Sequence, residues 1–206
     1  ASLGTAFGSA QATLILNGGF ESPSVASASF SQFFSGSTGI NNWTVFGPTG
    51  TDVAIVHTSF VSSPFSYVSQ EGTQWLDLTG GTNFSAAGVS QSVATSIGRK
   101  YDLSYYVGNN SSTTSTVDVL LNDVLQTSSV NSTTGNSLDW EQFTFSFIAT
   151  SASTKVSFRN GDLNLDGVNG LDNVVLKAVV PEPGALAIFG IGLAGLAGMR
   201  RRRKAA

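Results

Sequence analysis

The sequence predicts an all-β body of two packed antiparallel sheets, followed by a single membrane-spanning helix at the C-terminus. Three observations predict it. Between residues 13 and 180, short runs of alternating apolar and polar residues recur without a sustained helical period, and Gly, Asn, Ser and Asp punctuate them. Hydrophobic residues make up 41% of the 206-residue chain, including 14 Phe, which is enough to form a core and excludes general disorder. From Gly184 to Met199 there is no charge at all, and five consecutive bases, Arg200 to Lys204, follow directly.

The elements follow in order. Residues 1–12 are small, apolar and uncharged, and Ala10-Gln11-Ala12 fits the A-x-A pattern before a signal-peptidase cut. They read as a signal-peptide remnant whose precursor start, with its Met and basic region, is missing. The body then spans 13–179. Leu14–Leu16 reads as a first strand ending in Asn17-Gly18-Gly19. Thr44–Phe46 follows Trp43. Val53, Ile55 and His57 alternate, as do Leu76 and Leu78 with Trp75 and Asp77. Tyr101, Leu103, Tyr105 and Val107 share one face. Val117, Val119 and Leu121 lead into Asn122-Asp123, and Val124-Leu125 returns, which predicts a hairpin. Phe143, Phe145 and Phe147 form the cleanest alternation, followed by Val156 with Phe158 and Val174 with Leu176. Ten or eleven strands joined by turns predict two sheets packed face to face. Segments 22–42, 58–73 and 108–115 are rich in Ser, Thr, Gly and Asn and read as exposed loops.

Composition excludes several chemistries. There is no Cys and one His, so disulfides, thiolate nucleophiles and multi-histidine zinc sites are absent. Charge is unevenly placed: of 10 Lys+Arg, five form the Arg200–Lys204 tip, while only Glu182 of the 13 acids lies beyond residue 180. Residues 1–180 therefore carry 12 acids and 5 bases, and an acidic body does not suit a nucleic acid partner.

The last segment has three parts. Pro181-Glu182-Pro183 is stiff and extended, because each proline sets its own φ and biases its neighbour away from helix. The sixteen uncharged residues after it give a helix of about 24 Å at ~1.5 Å per residue, a short span that flanking residues and bilayer thinning accommodate. Arg200, Arg201, Arg202 and Arg203 stop translocation and stay cytoplasmic. Gly190, Ala194 and Gly198 form a small-residue face every four residues. Val180-Pro181-Glu182-Pro183-Gly184, the apolar run and the Arg cluster together resemble the PEP-CTERM sorting signal of Gram-negative bacteria. The resemblance covers residues 180–206. It implies export through the inner membrane, recognition by an exosortase-type membrane protease, and arrival at the cell surface or extracellular matrix.

The body also carries an ordered set of segments: Leu16-Asn17-Gly18-Gly19-Phe20-Glu21, Trp43, Gly72-Thr73-Gln74-Trp75-Leu76-Asp77-Leu78, Val89 to Val93, Gly98 to Tyr105, Trp140, and Gly170-Leu171-Asp172-Asn173-Val174. In that order they resemble the galactose-binding-like jelly rolls, a group with xylan- and glucan-binding modules and a family of cell-wall proteins of unknown function. The resemblance implies that Glu21 and Asp172, from the opening and closing segments, help hold a structural Ca²⁺, backbone carbonyls completing its shell. A second acidic run, Asp162-Leu163-Asn164-Leu165-Asp166-Gly167, matches the first half of an EF-hand loop, but position 12 would be Asn173 and the flanks read as strands. A solvated acidic loop is the expectation there.

Catalysis finds little support. His57 ends a strand and reads as structural, no nucleophile elbow or phosphate loop occurs, and no two carboxylates sit in an assignable acid and nucleophile pattern. Binding finds more. If Leu76 and Leu78 point inward, Trp75 points outward with Asp77. By the same parity Tyr106 lies outward, and Trp140 lies on the Gln142 and Thr144 face. Trp75, Tyr106 and Trp140 are the candidate sugar-contacting residues, since saccharides are gripped by aromatic faces with amide and carboxylate hydrogen bonds. The expectation is a non-catalytic exported module that binds polysaccharide. The alternatives are an adhesive matrix component without a sugar site and, third, a glycoside-active enzyme.

Overall fold

The computed structural model describes residues 12–81, 86–110, 114–162 and 167–180. The body is an all-β sandwich of two sheets. Its strands are β1 (Phe30–Phe34), β2 (Thr44–Phe46), β3 (Asp52–His57), β4 (Val61–Ser62), β5 (Phe65–Ser66), β6 (Gln74–Asp77), β7 (Gly88–Ala94), β8 (Lys100–Asn109), β9 (Ser115–Leu121), β10 (Val124–Asn131), β11 (Asp139–Ile148), β12 (Ser153–Asn160) and β13 (Gly170–Ala178). One sheet has the order β1-β3-β6-β13-β8-β11, the other β10-β9-β12-β7-β2, and β4-β5 form a separate small hairpin. Every pairing between these strands is antiparallel.

Alternation places the core. Val53, Ile55, Leu76, Leu103, Tyr105, Val107, Leu171 and Leu176 point inward from the six-stranded sheet, and Val45, Val89, Val117, Val119, Val156 and Phe158 point inward from the other. All are buried. Trp43 sits in this layer, 6.3 Å from the Phe158 ring, and its Nε1–H donates to the Asn17 carbonyl at 3.0 Å. The Tyr105 hydroxyl meets the Ser129 hydroxyl at 2.6 Å across the core. The predicted hairpin forms at Asn122-Asp123, where both residues have left-handed φ, 49° and 66°, as a two-residue type I′ turn requires. The Phe143, Phe145 and Phe147 row is only half-buried, because β11 is the edge of its sheet and covers the rim of the core.

Four expectations need correction. Segment 108–115 is not an exposed loop at its described ends: β8 runs through Asn109, β9 begins at Ser115, and Gly108, Asn109, Asn110 and Ser115 are buried. Leu14–Leu16 is not a strand. Asn17 and Phe20 take left-handed φ, so the chain turns there, and the segment is held by isolated bonds: Leu14 N–H to the Leu176 carbonyl, and a reciprocal pair between the Leu16 backbone and the Gln91 amide. Segment 22–42 is not all loop, since it holds β1. The burial of Phe-Ser-Gln-Phe-Phe alternates although its apolar residues do not: Phe33 packs on the core beside inward Ser31, while Phe30, Gln32 and Phe34 face out. Segment 58–73 holds β4 and β5 and folds back over the six-stranded sheet.

The sorting segment, with Pro181, Glu182, Pro183 and Arg200–Arg203, lies outside the described residues, as do the leader up to residue 11 and Asp166. Among the described residues no helix is long and apolar enough to cross a membrane.

Candidate functional site

The outer face of the six-stranded sheet carries a second apolar cluster, separate from the core. Register builds it. Phe30 opposes Val56, and Val56 opposes Trp75, giving one row across β1, β3 and β6. The next row is Gln32, Ala54 and Asp77. Segment 58–73 lies over these rows. The rings of Phe30 and Phe60 meet edge-on at 5.4 Å, Phe60 and Tyr67 lie 5.5 Å apart, and Tyr67 stacks on Trp75 at 6.2 Å. Trp75 also meets Trp140 edge-on at 5.9 Å. Two backbone carbonyls hold the indoles, as Trp75 Nε1–H donates to Tyr67 and Trp140 Nε1–H to Val68. Trp140 lies flat because the strands beneath it carry glycines: a Cβ on Gly108 would sit 2.8 Å from its ring, and one on Gly170 3.0 Å.

This roof leaves a pocket of about 210 Å³. Phe30, Phe60, Tyr67 and Trp75 supply aromatic walls, and Gln32 and Asp77 supply polar groups. Its volume is below the ~300–1,000 Å³ of sites for drug-sized ligands, so it suits a single ring or a chain end. Asp77 Oδ1 accepts the Thr79 hydroxyl at 2.6 Å and the Thr79 N–H at 3.0 Å. Burial pushes the Asp77 carboxyl up to about 6; the Thr79 and Asn169 bonds pull it down, and the neighbouring Asp52 charge adds a smaller push upward. Asp52 is fully buried, its Oδ2 accepting Gln32 Nε2–H at 2.9 Å and the Gly81 N–H at 3.0 Å. Gly80 is required beside it: its φ is +57°, and a Cβ there would lie 2.5 Å from the Asp52 carbonyl oxygen.

Glu21 and Asp172 come together at the loop before β6. Glu21 Oε1 accepts the N–H groups of Thr73 and Gln74 at 2.7 and 2.9 Å, and Oε2 accepts the Thr73 hydroxyl. Asp172 Oδ2 accepts the N–H groups of Gln70 and Glu71 at 3.0 and 3.1 Å, and Oδ1 accepts the Asn173 N–H. Gly19 runs between them, its Cβ direction passing 3.8 Å from Asp172 Oδ1 and 4.0 Å from Glu21 Cγ. Burial pushes the Asp172 carboxyl up to about 7; backbone bonds oppose this, and the Glu21 charge adds to it. Each carboxylate accepts three of its roughly four possible hydrogen bonds. The pair would give calcium two of its six to eight oxygen ligands. No group of three or more His, Cys, Asp or Glu side chains converges among the described residues, so carbonyls and water would complete any shell.

Trp75, Tyr106 and Trp140 all lie on the outer face that parity assigned to them. Only Trp75 lines the pocket, as a buried floor 1% exposed. Trp140 is half-buried against Trp75, and Tyr106 stands away from the pocket, opposite Gln142 and Asp172. Phe30, Gln32, Phe60 and Tyr67 were missed. The aromatic-rich run Phe30–Phe34 marked a candidate strand near the first two, but nothing in the sequence shows that segment 58–73 folds onto this sheet. His57 Nδ1 bonds the Ser59 hydroxyl and N–H, a local turn contact. Asp162 accepts the Thr116 N–H, and burial raises its carboxyl.

The fold resembles solved structures at low identity. The Stig cyclase Fisc from Fischerella sp. TAU, solved with (3Z)-3-(1-methyl-2-pyrrolidinylidene)-3H-indole, aligns with a TM-score of 0.59 at 19% identity, covering 84% of this chain and all of that one. A cyclase from the same organism, solved with 4-(1H-indol-3-yl)butan-2-one, aligns at 0.58 and 20% over the same shares. The CBM22-1 xylan-binding domain of Paenibacillus barcinonensis Xyn10C aligns at 0.47 and 18%, covering 76% of this chain and 99% of that one. No curated protein sequence matches the chain. Residues 179–203 match the PEP-CTERM protein-sorting motif. Residues 13–177, nearly the whole described body, match the family described as "Protein of unknown function (DUF642)", and the chain belongs to that family.

Proposed function

We propose that the protein is exported, processed at its tail by an exosortase-type membrane protease, and held at the cell surface or in the extracellular matrix. There its sandwich binds a polysaccharide without altering it. The sorting motif supports the first half of this reading. The pocket on the six-stranded sheet supports the second, and its lining is the observation that carries it: aromatic walls beside one amide, one carboxyl and the backbone of Gly80-Gly81. A sugar ring stacks its C–H face on an aromatic wall and spends its hydroxyls on such groups. Binding to an array of saccharides tests it. The protein should retain a glycan that Phe30→Ala and Asp77→Asn lose while their circular dichroism is unchanged. No retained glycan, or retention unaffected by both substitutions, rejects the pocket as a sugar site.

One observation favours an enzyme instead. Asp52 and Asp77 lie on the same outer face of adjacent strands, one row apart, the order of spacing that glycoside hydrolysis uses. Asp52, however, is sealed under Gln32 and Gly81, so the pocket offers a ligand one carboxyl and not two. Release of reducing sugar from the retained glycan, lost in Asp52→Asn, would decide for catalysis.

Calcium at Glu21 and Asp172 belongs to the same proposal, as a structural ion joining the first and last segments of the body. Thermal unfolding with calcium and with chelator tests it, and an unchanged midpoint rejects it.

A further inference from the structure

The two ends of the sandwich differ in charge. At one end lie the 95–99 and 149–152 turns, the start of β8 and the ends of β11 and β13. Backbone bonds tie these together: Gly98 N–H to the Ala149 carbonyl, Ala149 N–H to that of Arg99, and Val179 N–H to that of Lys100. The Asn122-Asp123 hairpin turn lies at the same end, its Asn122 N–H bonded to the Lys155 carbonyl. Four of the body's five bases are here, Arg99, Lys100, Lys155 and Lys177, with only two of its twelve acids, Asp102 and Asp123. Asp123 is paired with Lys155 at 2.7 Å, and Asp102 accepts the Ser146 hydroxyl. Among the described residues, Arg99, Lys100 and Lys177 make no ion pair and are exposed. Apolar side chains stand beside them: Ile97 is 73% exposed, Ile148 63% and Val180 58%. Exposed Ile and Val ringed by unpaired bases, in a body that is otherwise strongly acidic, match an anionic lipid surface, which takes apolar side chains below its headgroups and bases among them.

The course of the chain names the same partner. The described residues end at Val180, at this end, and the uncharged run begins at Gly184. Four residues span at most about 14 Å. If that run enters the bilayer, these bases stay within one or two Debye lengths, ~8–10 Å each, of its headgroups. We propose that this end of the sandwich docks on the anionic surface of the membrane that the tail enters. This rests on the reading of the tail given above.

The chain has no cysteine, so a single introduced one takes a unique fluorophore. Thr150→Cys labels the docking end, and Thr134→Cys the other end, about 30 Å away along β11 at ~3.4 Å per residue. The full-length chain is reconstituted into phosphatidylglycerol-containing vesicles and quenched by headgroup-nitroxide lipid. Quenching should be several-fold stronger at 150 than at 134. It should fall to the level at 134 in pure phosphatidylcholine, and likewise with Arg99→Glu, Lys100→Glu and Lys177→Glu combined. Equal quenching at both positions in a chain that floats with the vesicles overturns the docking alone. So does quenching at 150 indifferent to lipid charge, or a change at 150 that follows protein concentration, the mark of a second copy. A chain that does not float overturns the tail reading and the docking together.

Discussion

The outer faces of the two sheets have the same backbone geometry and opposite chemistry. On the five-stranded sheet, the outward positions are mostly polar, Ser90, Ser92, Lys155, Ser157, Arg159, Asp118 and Ser128, with Phe46, Leu120 and Leu125 among them, and Arg159, Asp118 and Ser128 pair locally. Arg159 Nη2 donates to Asp118 Oδ2 at 2.6 Å, and the Ser128 hydroxyl donates to Oδ1 at 2.6 Å. On the six-stranded sheet, the outward positions include Phe30, Val56, Trp75 and Trp140, with Asp52 and Asp172 buried and Asp77 half-buried among loops that cover them. A sheet face needs a cover only if its side chains cannot be left to water. The polar face remained a wall of the sandwich, and the apolar face recruited segment 58–73 and acquired a pocket beneath it.

If that contrast holds, damage to the covered face should cost most. Trp75→Ala removes a buried indole with its stacked and edge-on partners, and should destabilise by about 3–5 kcal/mol in urea unfolding. A loss below ~1 kcal/mol would mean that the roof is not packed. Gly72→Ala comes next. Gly72 has φ +61°, and a Cβ there would sit 2.3 Å from Glu21 Oε1, so strain and displacement of the carboxylate should cost about 1–3 kcal/mol. Adding Glu21→Ala should return part of that loss, and strictly additive losses would contradict the contact.

The third test is pH. Asp77 and Asp172 have carboxyls raised to about 6 and about 7, so the folded state holds protons that the unfolded chain has released. Their contribution to stability is complete below about pH 4, the ordinary carboxylate value, and is lost as pH rises through 6 for Asp77 and 7 for Asp172. Asp77→Asn should roughly halve the slope between pH 4 and 6, where both groups contribute, and leave the pH 6–7 part in place. A slope unchanged by the substitution would place the titration elsewhere. The smallest effect belongs to the polar face. Arg159→Ala breaks a partly exposed ion pair and should cost about 1 kcal/mol or less. A loss rivalling that of Trp75→Ala would erase the distinction between the faces.

How much of this could be read beforehand depended on the range of the interactions. Strands β8, β9, β11 and β12 announced themselves because an apolar residue at every second position is a local pattern. The Asn122-Asp123 turn did so because two adjacent residues that tolerate positive φ are enough to reverse the chain. Parity put Trp75 with Asp77, and both with Tyr106 and Trp140, on the outward side, and the sorting motif was legible as contiguous residues. β1 was obscured because its apolar residues do not alternate, and Leu14–Leu16 misled because three apolar residues do not reveal that Asn17 and Phe20 turn the chain.

The pocket was out of reach for a different reason. Outward is a direction relative to one strand, whereas exposed depends on what else arrives there. Trp75 is outward and yet 1% exposed, because residues up to fifteen positions earlier fold over it and Trp140, from a strand sixty-five residues later, closes its flank. The raised carboxyls of Asp77 and Asp172 have the same origin, since their desolvation is imposed by segments distant in the chain. Alternation, turns and the tail's charge pattern are properties of neighbouring residues and could be known from their order alone. Which outward face would be covered, and which acids would lose their water, followed from long-range packing and existed only once the sheets were assembled.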